Sequence, residues 1–329
     1  MAANNSSKLD SSSQLYGRVQ KALLDGLDYL KAKQNDDGEF CINITRHPSM
    51  IGPKIFDSTP FATGIVYHAL SFLKHPTAAR LRLKALFFIR SQMQKGGVWS
   101  YWTEKSGKEI VPDLDDTAVM SRILFDSGDS LFPNLNIQRI LENRDKFGMF
   151  YTWLNKPHTI NDVDSVVNCN CAWYLGDHPA AKPVMKRLLE IVKKGKVSLS
   201  YWYYLEDLAF YYAFSRAAIV SPPDDDGLWK KLLRAKLDNI FASKKNLSPL
   251  SAALALCVTC KLDTFDSKAE ILLVEQILNE QSRSGEWPAI AYYAGPEPPQ
   301  PHRVWFGSSE VTTAYCIEAL AQWIRLRQR

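Results

Sequence analysis

One pattern recurs six times along this chain: a long amphipathic segment followed by a short apolar one opened by Thr, Ser or Asp. The apolar members cover 63–70, 116–124, 164–171, 207–213, 251–256 and 312–319. Their openers Thr63, Asp116, Asp164, Asp207, Ser251 and Thr312 are helix N-cap types, able to satisfy N–H groups that a helix start leaves free. Behind the openers there is no charged stripe, which predicts helices buried on most sides. The amphipathic members cover roughly 14–33, 77–92, 134–145, 179–194, 228–242 and 267–280. They set Lys, Arg and Glu at helical spacing beside Leu and Ile, the pattern of outer helices with one wet face.

With no strand run between them, six such pairs predict an all-α fold of two concentric rings. This is an (α/α)6 barrel (an α-toroid) with six outer and six inner helices, occupying residues 14–329. Met1 to Ser13 is Ser- and Asn-rich without apolar anchors and reads as a disordered lead-in. The repeat spacing is too irregular for an open solenoid of identical units. Six pairs can also stack as an arc, so closure is an expectation; a closed ring places a cavity among the inner-helix ends.

Three outer helices end in a shared punctuation: Gln34…Gly38-Glu-Phe40, Gln92…Gly96-Gly97-Val-Trp99 and Gln281…Gly285-Glu-Trp287, with weaker copies at 143–150 and 194–202. Gly ends the helix, Gln bonds free helix-terminal groups and the ring covers the junction, so these read as clamps between repeats. Between the second clamp and its inner helix lies Asp113-Leu-Asp115-Asp116-Thr-Ala.

Clamps, six helix pairs and this D-x-D-D-T-A motif together resemble the squalene–hopene cyclase and class II diterpene cyclase superfamily over residues 14–326. The chain has room for one barrel, which resembles the single-domain branch, the merosterolic acid synthase type of meroterpenoid cyclase. The resemblance implies an enzyme that cyclises a linear polyprenyl chain through carbocations, started by a general acid. By position that acid is Asp115, flanked by Asp113 and Asp116. Protonating an alkene requires a neutral carboxyl, although Asp in water has a pKa of ~3.9; burial and like-charged neighbours raise it. Asp116 is expected to bond near the helix start while Asp115 points into the cavity. Where relatives carry a His bonded to the acid, this chain has Asn168, which can orient a carboxyl but cannot return a proton.

The resemblance also implies cavity-wall roles for Tyr101 and Trp153, whose aromatic faces attract cations and exclude water. Trp102, Tyr204, Tyr292 and Trp305 join them from clustering alone, with core packing an equal reading. Two Pro-rich loops, 41–62 and 288–309, are expected as lids or head-group contacts through Arg46, Lys54 or Arg303. The substrate expected is a prenylated (geranylgeranyl) aromatic acid, with a diterpene or sesquiterpene diphosphate as alternative. No cofactor or metal is expected; Mg²⁺ enters only with a diphosphate.

Other classes fit less well. Asp224-Asp225-Asp226 lies in a Pro/Gly loop without metal-ligand spacing and reads as a turn. Six His and six Cys give no zinc set, and Cys257-Val-Thr-Cys260 sits in an apolar stretch, as a reduced core pair would. An (α/α)6 carbohydrate-active enzyme or a non-catalytic binding toroid shares the fold, but the acids here form one cluster rather than two opposed faces. The net charge of +5 is scattered, so no nucleic-acid partner is expected. No apolar run reaches the ~18–20 residues of a membrane span; the expected location is cytoplasmic, with peripheral membrane contact left open.

Overall fold

A computed structural model describes residues 3–128, 133–223, 227–243, 246–262, 267–296 and 298–328. The outer helices are α1 (Ala3–Lys33), α3 (Pro76–Ser91), α5 (Pro133–Glu142), α7 (Ala181–Lys193), α9 (Leu228–Ser243) and α11 (Ser267–Asn279). The inner helices are α2 (Pro60–Leu70), α4 (Leu114–Asp126), α6 (Ser165–Leu175), α8 (Asp207–Val220), α10 (Pro249–Thr259) and α12 (Ser309–Arg327). Each inner helix packs on the next and α12 packs on α2, so the ring closes. The fold is the predicted (α/α)6 barrel. Of the stretch expected as a disordered lead-in, residues 3–13 open helix α1, while Met1 and Ala2 lie outside the described residues, as do Asp224 to Asp226.

The inner helices are buried nearly all round because their sequences carry almost no charge; every residue of α6 and α10 is buried. Most caps fall three or four residues earlier than predicted, at Thr59, Asp113, Ser248 and Ser308, and only Asp164 caps where expected. Thr63, read as an opener, serves a clamp instead, as do Thr117 and Thr313, each one residue past a predicted opener. Thr63 Oγ1 accepts from Phe40 N–H, Thr117 from Trp99 N–H and Thr313 from Trp287 N–H, at 2.9, 3.1 and 3.1 Å.

The clamps are built as their composition implies. Gln34 Nε2 donates to Gly38 O and Leu81 O, and Gln281 Nε2 to Gly285 O and Ala22 O. Trp99 and Trp287 are fully buried and donate Nε1–H to Ile89 O and Ile277 O. In the second clamp the glutamine that reaches across is Gln94, to Ser100 Oγ. Gly285 has φ +95°, and a Cβ there would stand 2.3 Å from Asp25 O. Gly285→Ala therefore costs about 2–5 kcal/mol in strain and overpacking. The expected readout is a lower urea midpoint at unchanged slope; an unshifted midpoint would show that the clamp yields.

Among the described residues, four strands lie where none was predicted. The two Pro-rich loops pair with each other: β1 (Ile42–Thr45), β2 (Ile55–Asp57), β3 (Ile290–Gly295) and β4 (Val304–Ser308) form an antiparallel sheet in the order β2-β1-β4-β3. The strands have only three to six residues, and the central β1–β4 pairing joins the two ends of the chain, so no local pattern announced them. The sheet ties the first repeat to the last, beside the mouth of the barrel.

Candidate active site

The start of α4 sets the acid cluster. Asp113 is the N-cap, its Oδ1 accepting from Asp116 N–H at 2.8 Å. It takes the capping role expected of Asp116, whose own Oδ1 is buried without a partner. One residue on from Leu114, Asp115 turns inward. Its Oδ1 accepts from Asn170 Nδ2 and its Oδ2 from the Tyr204 hydroxyl, both at 2.5 Å. Arg216 Nη2 donates to Asn170 Oδ1 at 2.7 Å. A guanidinium has no acceptor, so this contact fixes the amide orientation and leaves Nδ2 for Asp115. A carboxylic proton on Asp115 then belongs on Oδ2, which keeps a lone pair for the Tyr204 hydroxyl to donate to.

Burial decides the protonation state. It raises Asp115 above the ordinary carboxylate range, against bonds from Tyr204 and Asn170 and the charge of Arg216 that pull it down. Asp116 is pushed well up by burial and by the charges of Asp113 and Asp115, and Asp113 is pushed to about 8 by burial foremost. Three carboxyls in one dry corner resist ionising together, so the cluster favours protonated forms over three separate charges.

Above the cluster opens a cavity of about 810 Å³. Its walls are Phe61, Tyr101, Trp102, Trp153, Tyr203, Tyr204, Tyr293 and Phe306, with Asp113, Asp115 and Asp116 on one side. The aromatic rings are pinned by their polar ends. Trp102 Nε1 donates to Asp57 at 2.8 Å, and Trp153 Nε1 to Asp162 at 3.0 Å and to the Tyr203 hydroxyl at 3.1 Å. The Tyr101 and Tyr293 hydroxyls meet at 3.0 Å. Asp164 caps α6 with Oδ1 while Oδ2 accepts from Trp202 N–H and Tyr203 N–H, holding the aromatic run 201–204 over the cavity.

Thus Tyr101, Trp102, Trp153, Tyr204 and Arg303 meet around the three aspartates. The other candidates sit elsewhere. Asn168 does not touch the acid: its Oδ1 accepts from Phe150 N–H, and its Nδ2 donates to Phe150 O and Asp164 O. It fills the clamp position held by Thr63, Thr117 and Thr313 in other repeats. Asn170, half a turn on, faces Asp115 instead. Trp305 does not line the cavity; on β4 its neighbours Val304 and Phe306 do. Tyr292 lies behind the wall, packed edge-on against Tyr204 at 5.2 Å. Arg46 and Lys54 are exposed and do not line the cavity. Sequence reading missed Asn170, Arg216, Tyr203, Tyr293 and Phe306; the polar Asn170 and Arg216 inside otherwise apolar inner helices were the available signal.

Among the described residues, no group of three or more His, Cys, Asp or Glu is set to hold a metal. No helix there is long and apolar enough to cross a membrane. All six cysteines are free thiols.

No protein-family model matches the sequence, and no curated protein matches it. Solved structures do match. A protein from Actinoplanes superposes with TM-score 0.73 at 15% identity, covering 92% of this chain and 99% of that one. The type II terpene cyclase MstE from Scytonema gives 0.71 at 15%, covering 94% and 99%. An unsaturated glucuronyl hydrolase specific for heparin gives 0.62 at 11%, covering 95% and 98%. These likenesses identify the chain's fold as the six-pair α-barrel that a type II terpene cyclase and a glucuronyl hydrolase share.

Proposed function

We propose that this chain is a proton-initiated (class II) terpene cyclase with Asp115 as its general acid. The observation that carries the reading is a half-buried Asp115, hydrogen-bonded through both oxygens and raised by desolvation, at the wall of an aromatic cavity. A linear polyprenyl chain folded there presents its terminal alkene to Asp115 Oδ2. The proton leaves Oδ2 for the alkene carbon, and the carboxylate left behind keeps both hydrogen bonds. The cation then moves along the folded chain. Each aromatic face it passes contributes ~0.5–2 kcal/mol, and the dry wall denies it water. Loss of a proton ends the sequence, so product and substrate have equal mass.

A glycosidase reading needs two carboxyls facing each other across a bond, ~5–9.5 Å apart. The carboxylates lining this cavity come from one helix start, and the rest of its wall is predominantly apolar.

For the substrate, the reading favours a prenylated aromatic acid. MstE has been solved with geranylgeranyl dihydroxybenzoate as substrate and with merosterolic acid A as product. Lys156 and Arg303 line this cavity, along with Asn155 and Gln300, giving a carboxylate head group basic partners. A diphosphate is the alternative, and Mg²⁺ would enter only with it. The test is a panel of farnesyl and geranylgeranyl diphosphate, squalene and geranylgeranyl dihydroxybenzoate, with and without chelator, read by mass spectrometry. A product of unchanged mass and new retention time supports the reading; cleavage of a sugar polymer instead would sink it.

Arg303→Ala should raise KM for the anionic substrate about 10- to 100-fold, the worth of a charged hydrogen bond of ~1.5–3 kcal/mol, and leave kcat within a few-fold. An unchanged KM removes Arg303 from head-group binding.

A further inference from the structure

Cyclisation leaves the acid one proton short. Asp115 gives a proton to the alkene and the last cation releases one elsewhere, so every turnover leaves a carboxylate to be reloaded. This inference therefore rests on the cyclase reading. While a hydrocarbon chain fills the large cavity, water is kept from Asp115 on that side.

The other side of Asp115 is different. A second cavity of about 10 Å³ lies behind it, lined by Tyr204, Tyr212, Tyr292, Tyr315, Asn170 and Arg216 among others. That is the space of roughly one water molecule, with several polar partners to hold it. The tyrosines are packed in sequence: Tyr204 on Tyr292 at 5.2 Å between ring centres, Tyr292 on Tyr315 at 5.0 Å and Tyr315 on Tyr212 at 5.4 Å. The Tyr212 hydroxyl donates to Glu318 Oε2 at 2.9 Å. Glu318 is 1% exposed, and its Oε1 accepts from Gln322 and lies 3.7 Å from His68 Nε2. The His68 side chain is 16% exposed. Asp115 lies in the first turn of its inner helix, whereas His68 lies in the last turn of α2 and Glu318 at the midpoint of the longer α12. The column thus runs down the barrel from the acid towards the far end.

We propose that Glu318 and His68, acting through Tyr212 and a water in the small cavity, reload Asp115 from the end of the barrel opposite the substrate. The Tyr204 hydroxyl gives its proton to Asp115 Oδ2 and takes one from the water. The water is resupplied through Tyr212 by the Glu318 carboxyl, which takes a proton from solvent by way of His68. One proton enters for each one the final cation releases, so the cycle balances. Burial raises Glu318 against the pull of Lys261 and Arg216, which favours its protonated form. Asn170 and Arg216 border the route but hold geometry only, since neither an amide nor a guanidinium passes protons readily.

The test separates the first turnover from the later ones. Parent, Glu318→Gln and Tyr212→Phe are each run with enzyme in excess and with substrate in excess, using whichever panel substrate the parent cyclises. With enzyme in excess, the variants should match the parent within about twofold. With substrate in excess, they should give one product per active site and then slow at least tenfold. If both regimes are unchanged in both variants, or both fall together, the route is wrong. A parent that cyclises nothing in the panel overturns the cyclase reading and this route with it, a result distinct from either.

Discussion

An Asp115→Asn variant is expected to fold as the parent does and to form no cyclic product. The amide is isosteric, its oxygen can accept from Asn170 as Asp115 Oδ1 does, and its NH2 can donate to the Tyr204 hydroxyl. Because desolvation favours the neutral form of Asp115, the exchange mimics that form while removing its proton. Stability should hardly move; a shift beyond about 2–4 °C would mean more than ~1 kcal/mol of lost packing. Activity should fall at least ~10³-fold, at the upper end of what general acids contribute, because an alkene is too weak a base for water to protonate. In the parent, the sign of the pH dependence follows from the direction of the shift. A raised carboxyl is protonated below its folded pKa, so turnover is retained at acid pH and lost as pH rises through that raised value. Asp113 and Asp116 remain in the variant, which makes it a discriminating test. If Asp115→Asn cyclises at the parental rate, a different carboxyl carries the proton.

How much of this was legible from the sequence depends on how local the signal is. The helices were readable because a buried inner helix cannot carry charge and an outer one must, as the pairs α6–α7 and α10–α11 show. The clamps were readable because Gly38 and Gly285 need positive φ at fixed distances from a ring that covers the junction. The acid cluster was readable as a motif. What failed was placement at the scale of half a helical turn, as with Asn168 and Asn170, and pairing across the whole chain. β1 and β4 meet only because the ring closes, and no window of sequence contains both. Tyr293 and Phe306 owe their wall positions to that sheet, and so were missed with it. Tyr204, singled out only for standing in an aromatic cluster, turns out to bond the acid, because Asp164 holds the backbone before it.

The two asparagines of α6 give the second large effect, and it should separate turnover from stability. Asn170→Ala removes the amide that joins Arg216 to Asp115. As a proton leaves Asp115, that amide bonds a growing carboxylate, an interaction of ~1.5–3 kcal/mol, so its loss should slow turnover about 10- to 100-fold at near-parental stability. Asn168→Ala should do the reverse. Phe150 N–H and C=O would both lose their partner in a dry core, at ~1–3 kcal/mol each, while the folded fraction keeps its acid site. A Thr at 168 should recover much of that stability, because Thr63, Thr117 and Thr313 already accept the same N–H in three other repeats. A Thr at 170 should rescue little, since its single hydroxyl is too short to bridge Arg216 and Asp115. Turnover with denaturation midpoints, measured on all four variants, decides the matter. If Asn168→Ala melts like the parent and yet loses turnover, the assignment of Asn170 as the acid's partner fails.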